Sequence, residues 1–265
     1  MDRLEGNEGW DWFVKKFQQK SGIDLTAYKR PQMERRIGSF MRSVSAPNYA
    51  SFLRILENDA GIYRKFLDHI TINVSEFFRN WNHWEILKNE IIPKLLRERS
   101  QVRSWSAGCS TGEEPYSLAI LFQEYFPQKF EKILATDIDQ DALEKAKIGI
   151  YNAKALQGVA PVLVKKYFDE VDGNFRIKDH IKACVRFERH DLLKDRYPSN
   201  LDLILCRNVV IYFTEETKEK LYRRFVEALR PGGVLFIGST EQIFKAREIG
   251  LRSVATFFYE KVTNG

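Results

Sequence analysis

Apolar residues recur at helical spacing over the first part of the chain. Trp10, Phe13, Val14 and Phe17 repeat at intervals of 3, 1 and 3, which predicts one amphipathic helix. A second helix is expected to begin near Pro31, where a fixed φ suits a first turn and a missing N–H does no harm. Its apolar face is Met33, Ile37, Phe40 and Met41, with Arg35, Arg36 and Arg42 on the opposite side. Phe52, Leu53 and Leu56, then Ile62, Phe66 and Ile70, predict two further helices. Residues 1–95 therefore read as a small all-helical domain with its linker.

The pattern changes after about residue 96. Val102–Ser106, Ile133–Thr136, Val185–Phe187, Leu201–Cys206 and Val234–Ile237 read as short strands. The segments Tyr116–Phe122, Asp141–Lys147 and Glu215–Leu229 read as helices between them, the last stopped by Arg230-Pro231-Gly232-Gly233. This alternation predicts an α/β domain over 96–265 with a parallel sheet covered on both faces. One stretch interrupts it. Phe175-Arg176-Ile177 follows Asp172-Gly173, a hairpin turn signal, so a small antiparallel β insertion is expected at about 165–187.

Composition narrows the class. With 13% aromatic residues, only 15 glycines and 8 prolines, the chain is not low-complexity or disordered. Its apolar runs fall far short of the roughly 18 residues of a membrane span, and its first ten residues lack the form of a secretory signal. Cys109, Cys184 and Cys206 are odd in number and lack metal-ligand spacing, which fits a reducing cytoplasm and neither a disulfide framework nor a metal. The net charge of +6 mildly favours a polyanionic or acidic partner, whether RNA, an anionic membrane face or an acidic protein surface, with ordinary solubility an equal reading.

Four segments carry chemistry. Ala107-Gly108-Cys109-Ser110-Thr111-Gly112-Glu113-Glu114-Pro115 lies between a strand and a helix, at a strand's carboxyl end where open α/β sheets bind ligands. It is neither G-x-G-x-x-G nor a phosphate loop, and two carboxylates there would repel a pyrophosphate, so a cationic or neutral ligand is preferred. Taken alone, the segment reads better as a helix start with acidic residues facing the dipole. Asp137 ends the next strand, placed either to accept both ribose hydroxyls of a nucleoside or to cap the strand. The two segments together favour nucleoside binding. His190-Asp191-Leu192 is placed to read an adenine edge, with no role given to His190, and Arg207 and Asn208 end a central strand and point toward the cleft.

In this order, Asn73-Val74-Ser75-Glu76-Phe77-Phe78-Arg79, Trp105–Ser117, Thr136-Asp137-Ile138-Asp139 and Cys206-Arg207-Asn208-Val209-Val210-Ile211-Tyr212-Phe213 make the chain resemble the CheR family of bacterial chemotaxis receptor methyltransferases over nearly its full length. The resemblance implies a Rossmann-like S-adenosylmethionine-dependent domain behind the helical one. It implies methyl transfer to glutamates on the cytoplasmic helices of chemoreceptors, with S-adenosylhomocysteine as product and no metal. Asn73, Ser75, Arg79, Glu113, Asp137, Asp191, Leu192, Arg207 and Asn208 are the implied cofactor-site residues, and Arg79 and Tyr212 the implied residues nearest the chemistry. Ser75 stands where many members carry Thr, and keeps the hydroxyl.

That reaction suits these residues. A glutamate with a pKa of about 4.3 is already ionised, so no general base is required, and the sequence offers no Ser-His-Asp or Cys-His set. Arg79 is expected to align the carboxylate through its fork, with Tyr212 donating one hydrogen bond; an ordinary ion pair and core packing are their alternatives. The basic face of Arg35, Arg36 and Arg42, with Lys29 and Arg30, is the expected docking surface for an acidic receptor helix, beside the alternative of a merely solvated face. The short Asp172-Gly173-Asn174 turn lacks a Gly-x-Gly loop, which implies independence of a receptor's C-terminal pentapeptide tether. A cytoplasmic monomer that binds neither nucleic acid nor the bilayer is expected. A nucleic-acid methyltransferase is disfavoured by the absence of an Asn-Pro-Pro-Tyr or Pro-Cys signature. A cofactor-binding sensor would need neither Arg79 nor Tyr212.

Overall fold

The computed structural model describes residues 6–71 and 75–262. The chain divides into two compact units, one of residues 1–72 and 212–218, the other of residues 73–211 and 219–265.

The first unit holds the helices α1 (Gly6–Ser21), α2 (Arg30–Ser43), α3 (Tyr49–Asn58) and α4 (Ala60–Ile70). The predicted stripes become its core. Phe13, Phe17, Ile37, Phe52, Leu56 and Phe66 are buried, and Phe52 meets Phe66 edge to face at 4.9 Å between ring centroids. Such pairs add about 0.5–1.5 kcal/mol beyond simple burial. Pro31 opens α2 as expected. Side-chain oxygens of Asn48 and Asp59 accept the backbone N–H groups of Ser51 and Ile62, both at 2.9 Å, and so cap α3 and α4. Residues 212–218 join this unit through main-chain bonds from Lys29 to the Tyr212 carbonyl and from Thr214 to the Ala27 carbonyl, both 2.9 Å.

The expected helical domain of residues 1–95 is too long. α5 (Trp81–Ile86), a π-helical turn (Leu87–Ile91) and α6 (Ile92–Leu96) belong to the second unit. Trp84, Leu87, Ile91, Ile92 and Leu95 enter the same core as Ile120, Leu203 and Phe236. A helical stripe reports that a face is buried but not against what, which is why the boundary was misplaced.

The remaining elements are β1 (Ser104–Ala107), α7 (Glu113–Tyr125), β2 (Ile133–Asp137), α8 (Gln140–Ile148), β3 (Ile150–Tyr151), α9 (Pro161–Tyr167), β4 (Phe168–Val171), β5 (Asn174–Ile177), α10 (Asp179–Lys182), β6 (Val185–Arg189), β7 (Leu201–Cys206), α11 (Glu215–Ala228), β8 (Leu229–Ile237), β9 (Leu251–Ala255) and β10 (Phe258–Lys261). Among the described residues the main sheet has the order β6-β2-β1-β7-β8-β10-β9. The first five strands are parallel, and the last two pair antiparallel. The chain winds one way from β1 and the other way from β7, so the crevice beyond the carboxyl ends of β1 and β7 is a topological switch point. The fold is the predicted Rossmann-like one.

The antiparallel insertion is also present, as a sheet of order β3-β5-β4. Asp172 and Gly173 both have positive φ, +49° and +73°, as a two-residue hairpin of Asp-Gly type requires. The insertion starts earlier than the expected residue 165, because β3 pairs with β5 from Ile150 onward, and its strands end at Ile177; Val185–Phe187 lies in the main sheet.

Arg230-Pro231-Gly232-Gly233 ends α11 as expected but lies within β8, where the register against β7 jumps between Leu201↔Leu229 and Leu203↔Val234. The displaced Arg230 side chain turns inward. Its Nε donates to Asp202 Oδ1 at 2.5 Å and its Nη1 to Glu98 Oε2 at 2.6 Å, while Asp202 Oδ2 accepts the Arg103 N–H at 2.8 Å. Asp202 and Arg230 are both buried, so losing the carboxylate leaves a guanidinium with only the exposed Glu98 opposite. Asp202→Ala is expected to cost about 3 kcal/mol in urea unfolding; a loss under about 1 kcal/mol would show that the pair is dispensable.

Candidate functional site

The site is built where β1, β2, β6 and β7 end. After Ala107 the chain turns through Gly108 (φ +82°), Ser110 (φ +48°) and Gly112 (φ +95°) into α7. The Gly108 and Cys109 N–H groups donate to the Thr136 carbonyl at 2.8 and 2.9 Å, tying this turn to β2. A Cβ on Gly108 would lie 2.5 Å from Val209 Cγ2, and one on Gly112 would lie 2.9 Å from the Ala146 Cβ. Both positions thus require glycine for backbone sign and for protein packing. The neighbours that require glycine here, Val209 and Ala146, are brought up from distant segments of the chain.

Asp137 ends β2 with its carboxylate fixed. Oδ2 accepts the Ser110 N–H at 2.8 Å and Oδ1 the Asp139 N–H at 3.0 Å. The Ile138 N–H also bonds this carboxylate, which offers about four lone-pair sites in all and so keeps about one for a further donor. Burial pushes the carboxyl above its ordinary range, and the backbone N–H groups pull it back. Next in the sheet, the His190 N–H donates to the Asp137 carbonyl at 2.9 Å. Its ring stands edge-on to Trp105 at 5.4 Å, where burial lowers its affinity for a proton. Asp191 is buried, with Oδ1 accepting the Leu193 N–H at 2.8 Å. The Leu192 carbonyl accepts bonds from the Tyr197 hydroxyl and an Arg224 guanidinium nitrogen.

Two carboxylates at the start of α7 face different partners. Glu113 is buried and accepts from Thr111 Oγ1 at 2.9 and 2.7 Å, and the Ser75 side chain bonds to it as well. Glu114 Oε1 accepts from Ser106 Oγ at 2.8 Å, and its Oε2 lies 3.5 Å from Arg207 Nη1. Burial raises both carboxyls, opposed mainly by Thr111 at Glu113 and by Arg207 at Glu114.

Arg207 does not extend into the cleft as expected. Its side chain is only 2% exposed. The guanidinium lies over the rings of Phe236 and Trp84, 4.5 and 5.6 Å from their centroids. Its Nη2 donates to the Arg79 carbonyl at 2.6 Å and to Asn80 Oδ1 at 3.3 Å. Strand spacing alone could not show this, because a long side chain at a strand end can fold back. Arg79 itself is half-buried, between two residues of positive φ, Phe78 (+51°) and Asn80 (+60°). Asn208 is also left-handed, at +60°, and its N–H bonds to the buried Glu241 carboxylate, which accepts the Gly238 N–H too.

The structure thus brings Ser75, Arg79, Glu113, Asp137, Arg207 and Asn208 to one edge of the second unit, with Asp191 and Leu192 following β6. Tyr212 lies in the first unit, and Asn73 lies outside the described residues. Glu114, Thr111, Asn80 and Glu241 were not singled out as site residues. The Glu113-Glu114 pair was the available signal for Glu114, while nothing in the local pattern marks Glu241. The docking set also divides. Arg35 and Arg42 are exposed, whereas Arg36 is half-buried and donates to the His69 carbonyl at the end of α4, where His69 Nε2 meets the Arg36 carbonyl at 3.0 Å. Arg36 is a helix-terminal tie, favoured there by the dipole. Among the described residues no group of three or more His, Cys, Asp or Glu could hold a metal, and no helix is long and apolar enough to cross a membrane.

Known proteins are similar to this chain over almost all of its sequence. Residues 8–71 match the all-alpha domain of CheR methyltransferases, and residues 73–256 match their S-adenosylmethionine-binding domain. A chemotaxis protein methyltransferase of Listeria innocua is 43% identical over 94% of this chain and 96% of its own length. Those of Borreliella burgdorferi and Escherichia coli are 36% and 35% identical, each over 84% of this chain and over 83% and 80% of their own lengths. The helical domain, the doubly wound sheet and these matches together make the chain a member of the CheR family of chemotaxis methyltransferases, enzymes that use S-adenosylmethionine.

Proposed function

We propose that the protein methylates glutamate side chains on the cytoplasmic helices of chemoreceptors, acting in the cytoplasm as a monomer and without nucleic acid. The observation that carries this reading is the donor set at the switch point. The Asp137 carboxylate ends β2, held by backbone N–H groups of Ser110, Asp139 and Ile138, and buried Glu113 with half-buried Glu114 sets negative charge beside the turn. A ribose diol suits the first, and a sulfonium amino acid suits the second. S-adenosylmethionine, when bound, supplies a methyl group on positively charged sulfur. Asp137 holds the ribose hydroxyls, and Glu113, with Ser75 and Asn73, holds the amino-acid end. Asp191 and Leu192 border the base, and the Arg207–Asn208 backbone closes the cleft.

The acceptor needs no deprotonation, since a glutamate with a pKa of about 4.3 is ionised at neutral pH. A carboxylate lone pair forms the new C–O bond, the C–S electron pair stays on sulfur, and the two opposite charges cancel. The work left to the protein is alignment and exclusion of water, which supplies about 7–11 kcal/mol at most. Arg79 aligns the substrate carboxylate through its two-pronged guanidinium. It stabilises the ionised reactant at least as well as the less charged transition state, so its contribution is geometric rather than electrostatic. Tyr212 keeps the hydrogen-bond-donor role that its motif implies.

Arg35 and Arg42, exposed on α2, offer positive charge to an acidic receptor helix. Arg36 is withdrawn from that set by its bond to α4. The two-residue turn at Asp172-Gly173 leaves no extended loop beyond β4 and β5, in keeping with an enzyme that needs no receptor tether.

Three measurements test these assignments. Asp137→Ala is expected to weaken S-adenosylhomocysteine binding by calorimetry about 10- to 100-fold, the worth of one charge-assisted hydrogen bond; unchanged affinity would remove Asp137 from the site. Arg79→Lys keeps the charge and loses the fork, so receptor methylation should slow by about 10- to 100-fold, and a near-normal rate would show the fork to be dispensable. Arg35→Glu with Arg42→Glu should slow methylation at low salt and approach the parent rate at high salt, because exposed charges act mainly on encounter. Equal rates at low salt would exclude α2 as the docking face.

A further inference from the structure

We propose that Glu114 is a positioning residue which, through the buried guanidinium of Arg207, fixes the turn that carries Arg79. This rests on the reading of Arg79 as the group that aligns the substrate carboxylate.

The turn at Arg79 is held in an unfavourable backbone. Phe78 and Asn80 both adopt positive φ, and neither is glycine. Left-handed conformations of such residues persist only where their surroundings over-determine them. Four bonds do so here. The Phe78 N–H donates to the buried Ser117 Oγ at 2.9 Å, and Trp84 Nε1 donates to the Arg79 carbonyl at 3.0 Å. Arg207 Nη2 supplies the other two, to the same carbonyl and to Asn80 Oδ1.

Arg207 can serve in this way only if a cation is tolerable in its position. Its side chain is almost entirely out of water, and Nε has no hydrogen-bond partner. The Phe236 and Trp84 rings give it a favourable face. The nearest countercharge is the Glu114 carboxylate, itself oriented by Ser106 Oγ, with Glu241 adding a second negative charge. Without the Glu114 charge the guanidinium would be under-compensated and drawn toward solvent, releasing the Arg79 carbonyl. Glu114 would then act three contacts away from the substrate, through Arg207 and the turn at Arg79.

The test combines Glu114→Gln, which keeps the shape and an acceptor for Ser106, with Arg79→Ala. For Glu114→Gln we expect kcat for receptor methylation to fall at least tenfold while S-adenosylhomocysteine affinity stays within threefold. The double variant should be no slower than Arg79→Ala alone, within twofold. A Glu114→Gln kcat within twofold of the parent overturns the proposal, as does a matching loss of S-adenosylhomocysteine affinity or a double variant whose losses multiply. Should Glu114→Gln fail to fold, Asn80→Gly is read by the same criteria, since glycine holds the positive φ at this exposed position while removing one Arg207 contact; a drop of at least threefold in kcat supports the proposal, and an unchanged kcat overturns it. An Arg79→Ala enzyme of normal rate overturns the reading of Arg79 itself and the proposal with it. A slow Arg79→Ala beside a normal Glu114→Gln overturns the proposal alone.

Discussion

Taking the Arg207 guanidinium out of water is the constraint around which the carboxyl edge of the sheet is organised. A buried cation has to find its partners within reach, and Arg207 finds one carboxylate, one backbone carbonyl, one side-chain amide oxygen and two aromatic faces. These partners lie on α7, on the turn that runs into α5 together with α5 itself, and on β8, so one side chain at the end of β7 joins three segments distant in sequence. Burial lowers its hold on its proton, but a guanidinium stays charged in a protein. The charge is therefore permanent, and the edge is built to accept it.

Negative charge at the same edge exceeds what this one cation balances. Glu113, Glu114, Asp137 and Glu241 all have carboxyls raised by burial, and of these four Arg207 eases only Glu114 and Glu241. Such a surplus disfavours a pyrophosphate and suits a ligand that carries positive charge on sulfur and nitrogen. The same arithmetic explains why no acid–base machinery is needed. The reacting groups arrive oppositely charged and leave neutral, so the protein contributes by holding geometry.

Much of this was legible in the sequence because local physics set it. The stripe of Trp10, Phe13, Val14 and Phe17, the helix start at Pro31, the fully buried strand Leu201–Cys206 and the Asp172-Gly173 turn all follow from periodicity or from the backbone preferences of single residues. What escaped depends on tertiary partners. Trp84, Leu87 and Leu95 form an ordinary helical stripe whose target is the sheet, and Ile150 pairs with Arg176 across 26 positions of sequence. Arg36 and Arg207 show the same limit for side chains. Each sits where the pattern places an arginine in the open, and each folds back onto a carbonyl from another segment. Gly108 and Gly112 show it too, since the close approaches they permit are to Val209 and Ala146, which lie far from them in sequence.

Where the methyl group goes decides whether this is a glutamate methyltransferase. Incubation of the purified protein with methyl-labelled S-adenosylmethionine and chemoreceptor cytoplasmic fragments, followed by mild alkali, reads this directly. Label that enters the receptor and is released by alkali as methanol is the signature of a glutamate methyl ester, and is the predicted result. Label that survives alkali, that appears in added nucleic acid, or that stays entirely in the donor would contradict it.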